Sequence, residues 1–183
     1  MLVAEKIANI RIDGPSPTIS ADQLSAIGTE TFVQSFGHLY AASDLQIFLR
    51  DKHGADACQR LIDDLDYAIW VAFDGADRVV GYLVAGPCDL PVDDLPPKSG
   101  ELIRFYLLPD FQGSGLGRRL LDPALRWLHE QFDHVFLSVY SENLKAQRLY
   151  EWYGFEKIQE YFFMVGDHAD PEFIMRRVER PPS

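Results

Sequence analysis

Apolar residues recur at helical spacing through the first third of the chain and at strand spacing directly after it. Ile7, Ile10 and Ile12 alternate weakly and stop at Gly14-Pro15-Ser16-Pro17, which predicts an edge strand over Glu5–Asp13 and then a loop. Ser20-Ala21-Asp22-Gln23 has the spacing of a capping box, and Leu24, Ile27, Phe32 and Phe36 carry a helix onward from it. Ser43-Asp44-Leu45-Gln46 repeats that pattern and predicts a second helix with Leu45, Phe48 and Leu49 on one side. A third, short helix is expected over Ala55–Leu65.

The period then changes. Tyr67–Phe73 and Arg78–Ala85 read as two strands joined by Asp74-Gly75-Ala76-Asp77, a hairpin. A Pro- and Asp-rich stretch, Gly86–Ser99, reads as an exposed loop, and Glu101–Leu108 as the next strand. Leu116, Leu120, Leu121, Leu125, Leu128 and Phe132 predict an amphipathic helix, with a kink or bulge at Pro123, which lacks an N–H and clashes with the carbonyl of Arg119. His134–Tyr140 is expected to be a strand, Leu144–Tyr153 a helix and Phe155–Val165 a strand. Gly166–Asp170 reads as a turn into a last strand near Phe173–Val178, with Arg180–Ser183 as a frayed tail. No repeat or linker interrupts the series, which predicts one α/β (α+β) domain over residues 1–183.

Charge narrows the function. The chain has 17 Lys+Arg against 28 Asp+Glu, a net −11, which argues against sequence-independent nucleic-acid binding and suits a cationic small substrate. Cys58 and Cys88 lie in unrelated contexts and read as free thiols. No apolar run has membrane length and the N-terminus has no signal-peptide core, so the expected address is the cytoplasm, with no membrane partner.

The chemistry-bearing stretch is Gly100–Gly117, an apolar strand that delivers a glycine-rich turn to a helix start. Backbone N–H groups there have no intrahelical partner and the helix dipole favours an anion, so the turn is a phosphate-site candidate. A Walker loop is excluded, because Gly117 is followed by Arg118 and Arg119 rather than Lys-Ser/Thr. A dinucleotide fingerprint starting at Gly113 and Gly115 fails at its third glycine, where Arg118 stands.

The remaining pattern, Gln-x-x-Gly-x-Gly, is met by Gln112, Gly115 and Gly117 after a strand and Leu-Pro-Asp-Phe. It resembles the acetyl-CoA pyrophosphate loop of the GNAT superfamily of N-acetyltransferases. Glu101, eleven positions before Gln112, stands where many members carry a strand glutamate, and Asn143-x-x-Ala146-x-x-Leu149-Tyr150-x-x-x-Gly154-Phe155 resembles the family's second signature. These matches run from Glu101 to Phe155. A fainter likeness, over Thr29–Phe32, Phe36–Tyr40 and Asp44-Leu45, is to the spermidine/polyamine-acetyltransferase-like branch.

The resemblance implies a GNAT fold: a mixed, mostly antiparallel central sheet, splayed at the cofactor and flanked by helices. It implies acetyl-CoA as acetyl donor, no metal, and a small-molecule amine as acceptor, entering between the Phe32–Asp44 helices and the Gly166–Asp170 turn. Backbone contacts to the pyrophosphate are implied for Gln112, Gly113, Ser114, Gly115, Leu116, Gly117 and Arg118, with Arg118 alternatively on a solvated helix face. Leu107 and Leu108 would line the pantetheine arm or be plain core. Asn143 would cap its helix and bond the cofactor. Glu101 is the candidate general base, or a holder of the ammonium, or one side of a structural ion pair with Arg104 or another residue. Tyr150 is the candidate general acid for the leaving thiolate, or a core aromatic.

His38, His53, His129, His134 and His168 have no metal spacing, and no Ser-His-Asp or Cys-His set is recognisable, which suits direct transfer. A polyamine or other small cationic amine leads as acceptor, with a protein N-terminus, lysine or amino-sugar open. The competing readings are a non-catalytic acyl-CoA-binding sensor, in which Glu101 and Tyr150 would have no use, and a Rossmann-like reductase. Dimers are frequent in the family, which leaves a homodimer open.

Overall fold

The computed structural model describes residues 9–178, so Glu5–Ala8 of the expected first strand and the Arg180–Ser183 tail lie outside the described residues. Among the described residues seven strands form one sheet: β1 (Arg11–Asp13), β2 (Ala68–Phe73), β3 (Val79–Pro87), β4 (Ser99–Leu107), β5 (His134–Tyr140), β6 (Phe155–Val165) and β7 (His168–Arg177), in the order β1-β2-β3-β4-β5-β7-β6. All neighbours are antiparallel except β4 and β5. The five α-helices among the described residues are α1 (Ala21–Phe36), α2 (Ala42–His53), α3 (Ala55–Asp63), α4 (Leu116–Gln131) and α5 (Leu144–Trp152).

Local chemistry explains the helix starts. Ser20 and Gln23 exchange the two hydrogen bonds of a capping box at α1. The repeat of that pattern at Ser43 does not cap: α2 begins one residue before it, Ala41 is its N-cap, and no side chain bonds the first turn. Ser43 therefore lies inside the helix.

α4 packs on one face of the sheet, against β2, β3, β4 and β5, and α1 on the other, against β3 and β4. α4 runs from Leu116 to Gln131 with Pro123, the site of the expected kink or bulge, inside it. An interior proline costs about 3 kcal/mol. Leu116, Leu120, Leu121, Leu125 and Leu128 are all buried against the sheet, at about 2 kcal/mol each, so packing outweighs the lost bond. The expected Gly166–Asp170 turn is also shorter. Gly166 and Asp167 alone make it, and the longer strand β7 already pairs His168 with Val165.

β4 and β5 pair only from Ser99↔His134 to Leu102↔Leu137, although both strands continue. Directly past that point β4 carries a bulge: Leu102 faces Ala85 and Arg104 faces Val84, leaving Ile103 extra. A bulge adds local twist and bends its strand. The two strands diverge there, and the sheet opens a wedge.

Candidate active site

The wedge is the floor of a cleft of about 1050 Å³ that runs across the sheet from the glycine turn to the α1–α2 side. Its glycine end is lined by Leu107, Gln112, Gly113, Gly115, Gly117 and Arg118 together with Asn143, Ala146, Leu149 and Tyr150. Its other end is lined by Glu101, Arg104, Tyr106, Asp170 and Glu172 below, and by Phe32, Phe36, Tyr40 and Phe48 above.

The turn owes its shape to two left-handed residues, Gly113 at φ +74° and Gly115 at φ +89°, where a side chain would meet nothing within 4 Å. Backbone conformation, rather than lack of space, demands glycine at both. Gly115 is the N-cap of α4, so the first-turn amides of Gly117 and Arg118 have no intrahelical acceptor. Gly117 additionally lets the helix approach Phe105, whose Cζ is 3.2 Å from the place of an added Cβ.

Not every sequence-predicted residue faces the cleft. Ser114 turns inward: its Oγ donates to the Phe111 carbonyl and accepts from the Leu116 amide, and Leu116 itself is core. Leu108 takes the plain-core alternative. It is 3% exposed, its amide donates to Val80 and its carbonyl accepts from Phe111, so only Leu107 of that pair lines the cleft. Arg118 lies over the Trp152 ring, 4.3 Å from its centroid. Arg119 points away and bonds the Ile10 carbonyl at 2.9 Å. Asn143 caps α5, its side chain accepting from the Ala146 amide at 3.2 Å, at the cleft rim.

The bulge decides which side chains share a face. With Ile103 extra, Glu101, Arg104 and Tyr106 stand on the α1 side and Leu102, Phe105 and Leu107 on the α4 side. Glu101 is 7% exposed, and its Oε2 accepts from the Asp89 amide at 3.1 Å. Burial raises its carboxyl pKa to about 7, against the smaller opposing effect of that amide. The expected Arg104 alternative does not occur: Arg104 donates to the Lys52 carbonyl at 2.7 Å, on the helical wall.

Tyr150 is buried, meets Phe155 edge-on at 6.1 Å, and lines the cleft. Its hydroxyl makes no hydrogen bond among the described residues, and its pKa is pushed well up, by burial first and then by Glu172. Cys88, beside Glu101, is a thiol pushed up to about 11 by burial, far from a thiolate at neutral pH. His53 is buried against Phe32 and Phe48, and desolvation lowers it to about 3, so it is a neutral packing group.

Sequence reasoning missed the acids of β7. The sequence pattern puts Asp170 in a turn and Glu172 in no element, whereas both stand in β7 on the Glu101 face, Glu172 opposite Tyr140 and Tyr161. Glu172 Oε2 accepts from the Tyr161 hydroxyl at 2.9 Å, and Asp170 Oδ2 accepts from Tyr40. The available signal was Asp170-Pro-Glu172, acids at strand spacing leading into Phe173-Ile174-Met175. Among the described residues no three His, Cys, Asp or Glu could hold a metal, and no helix is long and apolar enough to cross a membrane.

Known proteins share this fold. The PaiA N-acetyltransferase of Thermoplasma acidophilum, solved in complex with coenzyme A, superposes with a TM-score of 0.67 at 19% identity, over 91% of this chain and 98% of that one. An N-acetyltransferase encoded in the pepI 3′ region of Lactobacillus delbrueckii subsp. lactis is 28% identical over 158 residues, 83% of this chain and 88% of its own. The spermine/spermidine N(1)-acetyltransferase of Bacillus subtilis is 33% identical over 82 residues, 43% of this chain and 53% of that protein. The profile of the acetyltransferase (GNAT) family matches residues 33–155, about two thirds of the sequence, and the chain belongs to that family.

Proposed function

We propose that the chain is an acetyl-CoA-dependent N-acetyltransferase that moves acetyl directly to a primary amine in a ternary complex. A polyamine or other small cationic amine is the acceptor. One observation carries this reading: a single cleft joins a glycine turn at a helix start to a buried carboxylate that titrates near neutrality, across a wedge where β4 and β5 lose each other.

The residues present fit the donor. The left-handed, open Gly113 and Gly115 and the first-turn amides of Gly117 and Arg118 suit a pyrophosphate. The backbone of β4 past Leu102, unpaired toward β5, suits the amide-bearing pantetheine arm, with Leu107 and Asn143 beside it. Bound there, acetyl-CoA supplies an acetyl thioester.

Glu101 then removes the proton. An alkylammonium has a pKa near 10 and must lose a proton to attack, and a carboxylate near 7 is a better-matched acceptor than one at 4.5. Tyr150, its hydroxyl unengaged, donates to the leaving sulfur. In balance, an N–C bond forms and the C–S bond breaks; of the two protons that the ammonium nitrogen gives up on becoming an amide, one goes to Glu101 and the other replaces the proton that Tyr150 gives to the sulfur. A thiol held at about 11 supports direct attack over an acyl-cysteine route through Cys88. A sensor that only bound acyl-CoA would have no use for a buried, raised Glu101.

The acceptor class rests on the fainter likeness, the activity of the Bacillus relative and the acids of the cleft. Thiol release from acetyl-CoA, screened against polyamines, amino acids, aminoglycosides and peptides, tests it. Release with polyamines well above the rest is expected. Release only with peptides would replace the acceptor class, and none with any amine would favour the sensor.

A further inference from the structure

β7 offers the acceptor more than one charge. Asp170 and Glu172 stand on the Glu101 face, and alternate residues of a strand lie about 7 Å apart. Glu172 is the inner of the two: it raises both Glu101 and Tyr150, so it borders the reacting end. Asp170 is one step further out, beneath Tyr40 and opposite Phe163.

Asp170 is also incompletely answered. It is 3% exposed, Tyr40 serves its Oδ2, and its buried Oδ1 accepts no hydrogen bond. His168 Nε2 lies 3.1 Å from Oδ1 without donating to it, and so offsets the charge only as an imidazolium. The cations of this half of the cleft, Lys52 and Arg104, make no ion pair with either acid among the described residues. Beside a neutral His168 the buried carboxylate has no counter-charge, which is costly, and an incoming cation relieves the cost. Between the acids and the helical wall the lining is aromatic, with Phe36, Phe48, Tyr140 and Phe163, which suits a hydrocarbon spacer.

We propose that Asp170, with Glu172, anchors a second cationic nitrogen of the acceptor, so that a flexible alkyl diamine is preferred, its reacting nitrogen at Glu101. This rests on the acetyltransferase reading above. It makes Asp170 and Glu172 specificity-determining residues and fixes the spacing between the two nitrogens as what the cleft reads. The distal nitrogen stays protonated and unmodified, while Glu101 deprotonates the proximal one.

Cadaverine, n-pentylamine and the ω-amino acid of the same length differ only in the far group, and thiol release compares them. The unmutated protein is expected to favour cadaverine over pentylamine by about tenfold or more in kcat/KM, and the amino acid is expected to be poorest. In Asp170→Asn and Glu172→Gln the cadaverine-to-pentylamine ratio falls toward one, chiefly through the KM of the diamine. The rise of Tm with acetyl-CoA verifies that each variant folds, and the ω-amino acid comparison needs no variant. Equal turnover of cadaverine and pentylamine, or a ratio that both variants leave intact, overturns the anchor while leaving the acetyltransferase standing. An ω-amino acid used as well as cadaverine overturns it too. Failure of every amine defeats both readings together.

Discussion

Leu102 faces Leu137 across the last rung between β4 and β5, and the next residue of β4, Ile103, is the one that β3 leaves unpaired. One inserted residue thus has two consequences. It ends the parallel ladder, opening backbone for a donor, and it reverses the alternation, bringing Arg104 and Tyr106 to the face of Glu101. Glu101 itself lies one rung before the opening, opposite Phe136 on one side and Gly86 on the other. The carboxylate is held by a fully paired sheet at the edge of an unpaired one.

Replacing Glu101 should trade activity for stability. Glu101→Gln is expected to lower kcat by about 10²–10³-fold with acetyl-CoA binding kept, and to abolish the acid limb near pH 7 in kcat/KM. The folded carboxyl titrates at about 7 against 4.5 for the free side chain, so the folded state holds the extra proton between those values. Its contribution is present below pH 4.5 and is lost as pH rises through 7, a loss on the order of 3 kcal/mol. The amide variant should therefore melt higher than the unmutated chain at pH 8 and equally at pH 4. Identical melting curves at pH 8 would contradict the burial argument.

Tyr150→Phe isolates one hydroxyl. Because that hydroxyl bonds to nothing among the described residues, its loss should change Tm by little while lowering kcat about 10- to 100-fold. Thiol release and acetyl-CoA titration on the same preparation separate the two effects. Unaltered turnover would remove Tyr150 from the proton path.

Much of this arrangement is legible in the sequence because it is local. The turn at Gly113–Gly117, the cap at Asn143, the box at Ser20–Gln23 and the β2–β3 hairpin each depend on neighbours within a few positions, and each forms where the pattern puts it. The unread parts are set by partners far along the chain. The bulge at Ile103 is a property of β4 against β3, and no residue at 103 announces it. Leu108 reads like Leu107 until the amide of one is seen to be taken by Val80. Asp170 and Glu172 look like loop acids because their burial comes from Tyr40 and Tyr161, 130 and 11 positions away.

Gly115→Ala should injure donor binding beyond its effect on the fold. At φ +89° an alanine is strained by about 1–2 kcal/mol, although its methyl would touch nothing. Relief of that strain would turn the very amides that face the cleft. Acetyl-CoA affinity, followed by calorimetry, is expected to fall about tenfold or more, with a Tm lowered by only a few degrees. Affinity retained alongside a lowered Tm would detach the turn from the donor.

Gln159 ties the β3–β4 loop to the opposite side of the cleft. Its amide nitrogen donates to the Pro91 carbonyl at 2.7 Å and its oxygen accepts from the Asp93 amide at 3.1 Å. Four residues before Asp93, the Asp89 amide holds Glu101, so a loose loop admits water to the carboxyl. Gln159→Ala removes two hydrogen bonds worth about 1 kcal/mol each and should speed proteolysis within residues 89–98. Burial is the largest cause of the raised Glu101, so wetting it should move the acid limb of kcat/KM downward from about 7 toward 4.5. The rate at pH 6 would then fall less, relative to pH 8, than in the unmutated chain. A loop that becomes protease-sensitive while the limb stays at 7 would mean that the strands alone, and not this strap, keep Glu101 dry.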